Sequence, residues 1–103
     1  MNKIKIFVDD YRDPHSAGYF VCTSTNDTIA TIEILMNREI EIEVLDLDYD
    51  AGCYKQDGGD YINILYWMAE NRIDNIPIHL HSSDKMCVEL MRKVIKENGW
   101  KEV

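Results

Sequence analysis

The chain of 103 residues is short of cysteine, of basic residues and of long hydrophobic runs, and each shortage excludes a class of protein. Its three cysteines are odd in number and have no Cys-x-x-Cys spacing, so we expect reduced thiols rather than disulfides or a zinc site. No apolar run approaches the roughly 18 residues that a membrane-spanning helix needs. The N-terminus has no hydrophobic signal region, and we therefore expect a cytoplasmic protein.

Basic residues are also outnumbered, with 11 Lys and Arg against 19 Asp and Glu and a formal net charge of −8. Such a surface repels phosphate backbones, and no stripe of basic residues offsets it. We therefore expect no extended nucleic acid as a partner, whereas a small nucleotide bridged by a metal ion stays compatible with the charge. Hydrophobic residues make up 46% of the chain, which at this length predicts one globular domain over 1–103. The sequence carries no signal of an oligomeric state.

Hydrophobic periodicity predicts three helices, over about 27–38, 60–72 and 84–98. β-branched runs precede or separate them, and the order of elements is β-β-α-β-α-β-α. Strands that alternate with helices of 10–15 residues predict a mostly parallel, four-stranded α/β sheet with crossover helices. The core faces of the first two helices are predicted to be Ile29, Ile32 and Met36, and Ile62, Leu65, Tyr66 and Ala69.

The connection from the first strand to the second is too short for a crossover helix. Only eight residues separate Asp10 from Tyr19, whereas a parallel crossover takes about a dozen. Eight extended residues still span about 26 Å, which is enough to return along a short strand. The second strand is therefore either a loose hairpin partner of the first or parallel to it.

The four predicted strands end in polar side chains. The first runs into Asp9 and Asp10, the second into Thr23 and Ser24, the third into Asp46 and Asp48, and the fourth into His81, Ser82 and Ser83. In open α/β sheets this carboxyl edge is where ligands bind. Carboxylates gathered there repel one another unless a cation lies among them, so the edge predicts a metal-binding, phosphate-handling site.

Asp9, Asp10 and Asp46 are the candidate metal ligands, and Mg²⁺ is expected because the carboxylates are few and no flexible, ligand-rich loop is evident. Asp46 is interpreted as a metal ligand or nucleophile and Asp48 as a general base. His81 is either a general acid or base or a structural histidine. Asp9 and Asp10 would otherwise be simple turn residues.

Other polar residues near this edge have two interpretations each. Arg12 is a candidate for clamping a substrate phosphate, while Lys55 and Asp50 are interpreted as solvated charges. Ser82 and Ser83 either hold a phosphate or help to cap the third helix, and Asp60 is interpreted as a helix N-cap. The longest loop, about 49–59, is expected to act as a lid or substrate loop, and its Tyr49 and Tyr54 are candidates for base stacking.

These motifs together resemble a response-regulator receiver domain and, more closely, the cyclic-phosphate processing receiver domain. The resemblance rests on "VDDYRDP", the short step to "YFVCTST", Asp46-Leu47-Asp48, "DGGDYINILYWM", His81-Ser82 and the final "NGW". It covers nearly the whole chain and implies a small three-layer, flavodoxin- or receiver-like fold without the first crossover helix.

Two departures from the resembled families concern charge. Ser83-Asp84-Lys85 stands where a Met-Asn-Pro-like segment follows His-Ser in the family, and Asp84 would repel a phosphate at that helix N-terminus. The fifth strand of ordinary receivers, with its lysine, is missing, and Lys85 is a candidate substitute for that charge.

The resemblance implies a Mg²⁺-dependent phosphoesterase acting on a cyclic nucleotide or a 2′,3′-cyclic phosphate end, in a bacterial or phage defence or RNA-end context. Asp46, or a water activated by Asp48, would attack the phosphate, and His81 would protonate the leaving oxygen. Two other functions stay open: a receiver that accepts a phosphoryl group at Asp46, and a non-catalytic nucleotide-binding or interaction module.

Overall fold

The computed structural model describes residues 3–103. Its elements in chain order are β1 (Lys3–Val8), β2 (Tyr19–Cys22), α1 (Thr25–Asn37), β3 (Glu41–Leu47), a 3₁₀ turn (Gly52–Tyr54), α2 (Ile62–Glu70), β4 (Ile78–Leu80) and α3 (Lys85–Glu97). The strands form one sheet in the order β2-β1-β3-β4, and every neighbouring pair is parallel. This confirms the α/β class and the parallel four-stranded sheet.

The second strand is parallel to the first, which decides between the two alternatives for the short connection. Val8 pairs with Cys22, and the Asp9 amide donates to the Cys22 carbonyl oxygen at 3.3 Å. No helix lies between β1 and β2 in the described part of the chain, as predicted. Residues 9–18 return the chain to the amino edge of the sheet, so that β2 runs parallel to β1 and ends beside it at the carboxyl edge.

One face of the sheet carries the hydrophobic core. Ile6, Val8, Leu45, Leu47 and Ile78 are fully buried and belong to one core cluster with apolar residues from all three helices. The crossovers from β2 to β3 and from β3 to β4 run in the same direction along the sheet, and right-handed crossovers then place their helices on the same face.

The opposite face of the sheet is polar toward its amino edge. Lys3 pairs with Glu41 at 3.1 Å, Lys5 lies over the Tyr19 ring, and Val21 is 44% exposed. In the strand order β2-β1-β3-β4, the connection from β1 to β2 runs in the opposite direction along the sheet from the other two connections. A helix in that connection would lie on the opposite face and form a third layer. That helix is the missing one, so residues 3–103 form a sheet layer and one helical layer rather than three layers.

Helix α1 begins at Thr25, two residues before the predicted start, because Ser24 caps it by accepting from the Asp27 amide at 3.0 Å. Helix α3 begins after Asp84, in agreement with the prediction. The N-cap prediction for Asp60 is wrong: Tyr61 precedes α2, and the Asp60 carboxylate instead accepts from the Ala51 amide at 3.0 Å. Asp60 thus fixes the preceding loop rather than the helix.

The core faces of α1 and α2 are rotated from the predicted ones, because Met36 and Tyr66 are 43% and 47% exposed. In α1 the buried residues include Thr25 and Thr28, whose hydroxyls donate to backbone carbonyl oxygens of Gly59 and Ser24. Threonines whose hydroxyls are satisfied in this way pack as core residues, and an apolar pattern alone does not identify them. None of the helices in residues 3–103 has the length and apolarity needed to cross a membrane.

The segment from β3 to α2 is tied to the start of α1. The Asn26 amide donates to the Asp57 carbonyl oxygen at 3.1 Å, and the Asn26 side chain donates to the Asp57 carboxylate at 3.0 Å. Gly58 follows with φ +107°, and a Cβ added there would lie 2.6 Å from Asn26 Oδ1 and 2.8 Å from Thr25 Cβ. The close packing of this loop on α1 therefore requires glycine.

We predict that Gly58→Ala lowers the free energy of unfolding by about 3 kcal/mol, because backbone strain at positive φ adds to overpacking against α1. Gly99→Ala is the matched control: its φ is +69°, but an added Cβ meets no atom within 4 Å, so only the strain of about 1 kcal/mol applies. Urea unfolding of both variants checks the difference, and equal losses would contradict the packing explanation.

Candidate functional site

Three strand ends bring buried polar side chains together at the carboxyl edge of the sheet. Asp9 directly follows β1, Asp46 lies near the end of β3, Asp48 directly follows β3, and His81 directly follows β4. Asp9, Asp46 and Asp48 are only 1%, 5% and 7% exposed. The edge predicted from the sequence therefore exists and is largely removed from solvent.

His81 lies between two of these carboxylates. Its Nδ1 is 2.6 Å from Asp46 Oδ1, and its Nε2 is 2.8 Å from Asp9 Oδ2. Its ring stacks on Phe7, with centroids 4.5 Å apart and planes 8° apart. When both carboxylates are ionised they can only accept hydrogen bonds, so both ring nitrogens donate and His81 is then an imidazolium. We call this arrangement the Asp9–His81–Asp46 bridge.

The bridge shifts the pKa values of its members. Burial lowers the pKa of His81, but its hydrogen bonds to Asp46 and Asp9 outweigh burial, and the net pKa is raised. Burial raises the pKa of Asp9, yet donation from the Arg12 and Tyr11 amides and from His81 leaves it lowered. The pKa of Asp10 is raised by burial and by the neighbouring charges of Asp9 and Asp48.

Asp48 is the buried carboxylate that faces outward from this edge. Its Oδ1 accepts from the Tyr49 amide at 2.7 Å, and its side chain lines a crevice of about 390 Å³. Ligand atoms of Asp9, Asp48 and His81 lie within 4.8 Å of one another. The oxygens of Asp9 and Asp48 are the kind of donors that Mg²⁺ prefers, and the adjacent Asp10 also lines the crevice.

Asp46 is the one predicted metal ligand that belongs neither to the crevice lining nor to the cluster of closely spaced ligand atoms. Its Oδ1 accepts from His81, and the residue is absent from the crevice lining, whereas Asp10 belongs to it. The carboxylates that line the crevice beside the bridge are therefore those of Asp10 and Asp48, and a ligand atom of Asp9 lies within 4.8 Å of one of Asp48. Ligation of a metal ion by any of them stays a prediction.

The crevice, which we call the edge crevice, extends outward from the bridge. Its lining residues come from the segment after β1, the loop after β3 and the start of α3: Asp10, Tyr11, Arg12, Asp48, Tyr49, Asp50, Lys55, Asp60, Ser82, Ser83, Asp84 and Cys87. Five carboxylates and two basic side chains thus surround it. The lining includes most of the residues predicted to touch a substrate.

Arg12, Ser82 and Ser83 line the edge crevice, whereas Lys85 lines a separate shallow groove on α3 with Met86 and Leu90. The charge between the carboxylates at the strand ends comes from His81. Within the described chain, Lys85 is therefore not placed where the missing receiver lysine would be. Its role in substrate binding stays a prediction without support from this geometry.

Lys55 is a solvated charge, as predicted, with its side chain 53% exposed, but sequence reasoning did not place it at the site. It lines the edge crevice and pairs with Asp50 at 3.3 Å and Asp60 at 4.0 Å. The available signal was its position in the longest loop beside the polar edge. Of the two tyrosines in that loop, Tyr49 lines the crevice and Tyr54 does not.

Asp84 occupies the N-terminus of α3. Its Oδ1 accepts from the Met86 and Cys87 amides at 3.0 and 3.2 Å, and the Ser82 hydroxyl accepts from the Asp84 amide at 3.3 Å. The amides that would otherwise receive an anion are thus taken by a carboxylate. A phosphate in the edge crevice therefore depends on other groups for binding.

Comparison with known proteins agrees with the geometry. The family model for the cyclic-phosphate processing receiver domain matches residues 4–97. No curated protein and no solved structure matches the chain. The match spans all four strands and all three helices, and so it includes every residue of the bridge.

We predict that His81 of the metal-free protein titrates with a midpoint above 6.5, because two carboxylates stabilise its charged form. Side-chain ¹⁵N NMR across pH measures the midpoint and detects protons on both ring nitrogens. Asp46→Asn keeps an acceptor oxygen but removes the negative charge beside Nδ1, and so it should move the midpoint down. A wild-type midpoint at or below 6.5 would show that the bridge does not hold an imidazolium.

Proposed function

The chain belongs to the family of cyclic-phosphate processing receiver domains, and from that membership we propose that it is a Mg²⁺-dependent phosphoesterase that opens a cyclic phosphate in the edge crevice. The substrate class is a cyclic nucleotide or a 2′,3′-cyclic phosphate end. The observation that carries the proposal is the charge of the crevice, in which buried and half-buried carboxylates stand beside two basic residues and two serines.

The charge balance supports a bound divalent cation. Two like charges 4 Å apart repel by about 4 kcal/mol at an effective dielectric constant near 20. Arg12 and Lys55 sit at the solvent side, where an ion pair contributes only about 0–1 kcal/mol. They do not offset the buried Asp48 together with the half-buried Asp10 and Asp60, so an anionic phosphate needs further positive charge in the crevice.

Asp9, Asp10 and Asp48 are the residues that would hold Mg²⁺. When bound, the ion supplies positive charge that offsets the phosphate and polarises its oxygens. Arg12, Ser82 and Ser83 would bind phosphate oxygens from the opposite side of the same crevice. The sequence-based alternative, with Asp46 as the third ligand, receives less support because Asp46 belongs neither to the cluster of closely spaced ligand atoms nor to the crevice lining.

The chemical step follows from the protein's own groups. A water molecule attacks phosphorus and gives its proton to Asp48, whose second oxygen is not used by the Tyr49 amide. A phosphorus–oxygen bond of the ring breaks as the new one forms. The leaving oxygen takes the Nε2 proton of His81 when it replaces Asp9 Oδ2 as acceptor, and the product is a linear phosphomonoester.

In this mechanism Asp46 acts through His81. It is 5% exposed and holds Nδ1, and this contact orients the ring so that Nε2 points to Asp9. A phosphoacceptor function at Asp46 is disfavoured because this residue is buried and does not line the edge crevice. Stable Mg²⁺-dependent labelling of Asp46 by acetyl phosphate would support that alternative instead.

A non-catalytic nucleotide-binding module is the second candidate function, and the cap of α3 favours it. The Asp84 carboxylate accepts hydrogen bonds from the amides at the N-terminus of α3, so this helix end is not free to bind a phosphate. A module of this kind would bind a cyclic nucleotide tightly without turnover. Binding that is unaffected by Asp46→Ala would favour it over catalysis.

We predict that ³¹P NMR with Mg²⁺ detects conversion of at least one signal in a panel of 2′,3′-cyclic, 3′,5′-cyclic and cyclic dinucleotide phosphates. Asp48→Asn should slow conversion by roughly 10²-fold or more, because it removes the general base and a carboxylate of the cation site. EDTA should stop it.

Asp13→Asn is the matched control, since Asp13 is an exposed acid of the same segment that does not line the edge crevice. It should leave the rate unchanged. If no signal converts while one shifts or broadens, the phosphoesterase is refuted and the binding module takes its place.

A further inference from the structure

Tyr11 is an exposed aromatic side chain at the rim of the edge crevice. It lies between Asp10 and Arg12, and all three residues line the crevice. Its side chain is 73% exposed, and neither a core contact nor the Asp9–His81–Asp46 bridge uses its ring. Exposure alone is ordinary for a single aromatic residue, but this ring also lines a ligand crevice, where it can contact a flat, apolar group of a ligand.

The backbone around Tyr11 is fixed by the site itself. Asp9 Oδ1 accepts from the Tyr11 amide and from the Arg12 amide, each at 3.0 Å. These two hydrogen bonds form a tight turn directly after β1. The position of Tyr11 is therefore set by a buried residue at the strand end rather than by a free loop.

Arg12 fixes the ring as well as the backbone. Its Nε donates to the Tyr11 hydroxyl at 3.2 Å, and its guanidinium carbon lies 5.3 Å from the centre of the ring. One face of the aromatic ring is thus supported by a cation, which leaves the other face for a ligand. A ring held in this way loses little conformational entropy when a flat group stacks on it.

We propose that Tyr11 stacks on the nucleobase of the substrate, so that the edge crevice takes a single nucleoside cyclic phosphate in preference to a cyclic phosphate without a base. This inference rests on the proposed function for the position of the phosphate. Stacking accepts every base because each has a π-face, so Tyr11 selects for a base without selecting which one.

The size and charge of the crevice fit one nucleotide. Its volume of about 390 Å³ lies within the range of small-molecule sites, roughly 300–1,000 Å³. A longer nucleic acid would add phosphates to an acidic surface that has no basic stripe. With the phosphate near Asp10 and Arg12, a base one ribose away reaches the adjacent ring of Tyr11.

The experiment compares adenosine 2′,3′-cyclic phosphate with ribose 2′,3′-cyclic phosphate, which lacks the base. Tyr11→Ala should weaken binding and raise KM for the adenosine compound by roughly tenfold to a hundredfold, with kcat little changed. The ribose compound should be affected less than twofold. Tyr11→Phe keeps the ring and loses only the hydrogen bond from Arg12, and so it should retain tight binding of the adenosine compound.

Tyr66→Ala is the control, because Tyr66 is an exposed tyrosine on α2 that does not line the edge crevice. Calorimetric binding of both compounds, in the presence of Mg²⁺, gives a readout that does not depend on turnover. Base-dependent binding that Tyr11→Ala removes supports the inference even if neither compound is hydrolysed, a result that would exclude only 2′,3′-cyclic phosphates as substrates of the proposed phosphoesterase.

Three results would overturn the inference. Equal binding of the adenosine and ribose compounds by the wild-type protein would remove the role of the base. Loss of adenosine binding in Tyr11→Phe as well as Tyr11→Ala would assign Tyr11 to holding Arg12. Absence of binding by either compound would exclude a nucleoside 2′,3′-cyclic phosphate as ligand, whatever the hydrolysis of other cyclic phosphates.

Discussion

The hydrogen-bonded contact of His81 with Asp9 and Asp46 joins the ends of three neighbouring strands, and the carboxyl edge of the sheet depends on it. Asp9 follows β1, Asp46 lies in β3 and His81 follows β4, so one histidine ring ties β1, β3 and the edge strand β4 together. Removing one member of such a buried pair leaves an uncompensated charge and typically costs about 3–5 kcal/mol. Phe7 adds a flat surface that holds the ring in place.

The bridge also determines which charges remain for a ligand. The bridge partly neutralises the negative charges of Asp9 and Asp46 inside the protein. The carboxylates of Asp10 and Asp48 line the edge crevice, and Arg12 and Lys55 lie near its rim. A histidine thus supplies positive charge between the strand-end carboxylates, in a sheet whose four strands include none that carries a receiver-type lysine. The remaining negative charge is the reason that our account requires a divalent cation before a phosphate.

The sequence predicted the strand ends better than the contacts between them. Parallel strands force Asp9, Asp46 and His81 to one edge, and this convergence followed from polar residues after apolar runs. The position of His81 between two carboxylates depends on side-chain directions, which a pattern of residue types does not contain. Tertiary packing also buries Thr28, whose hydroxyl is hydrogen-bonded, whereas Met36 and Tyr66 are exposed. The loop after β3 brings Lys55 to the crevice.

The proposed function requires that the edge crevice hold a divalent cation on carboxylates beside the bridge. A crystal structure of the protein grown with Mn²⁺ in place of Mg²⁺ tests it directly through the anomalous signal of the metal. We expect a peak about 2.0–2.3 Å from carboxylate oxygens of Asp48 and of Asp9 or Asp10. A map at saturating Mn²⁺ with no peak beside Asp48, and with the strand ends arranged as described, would contradict the account.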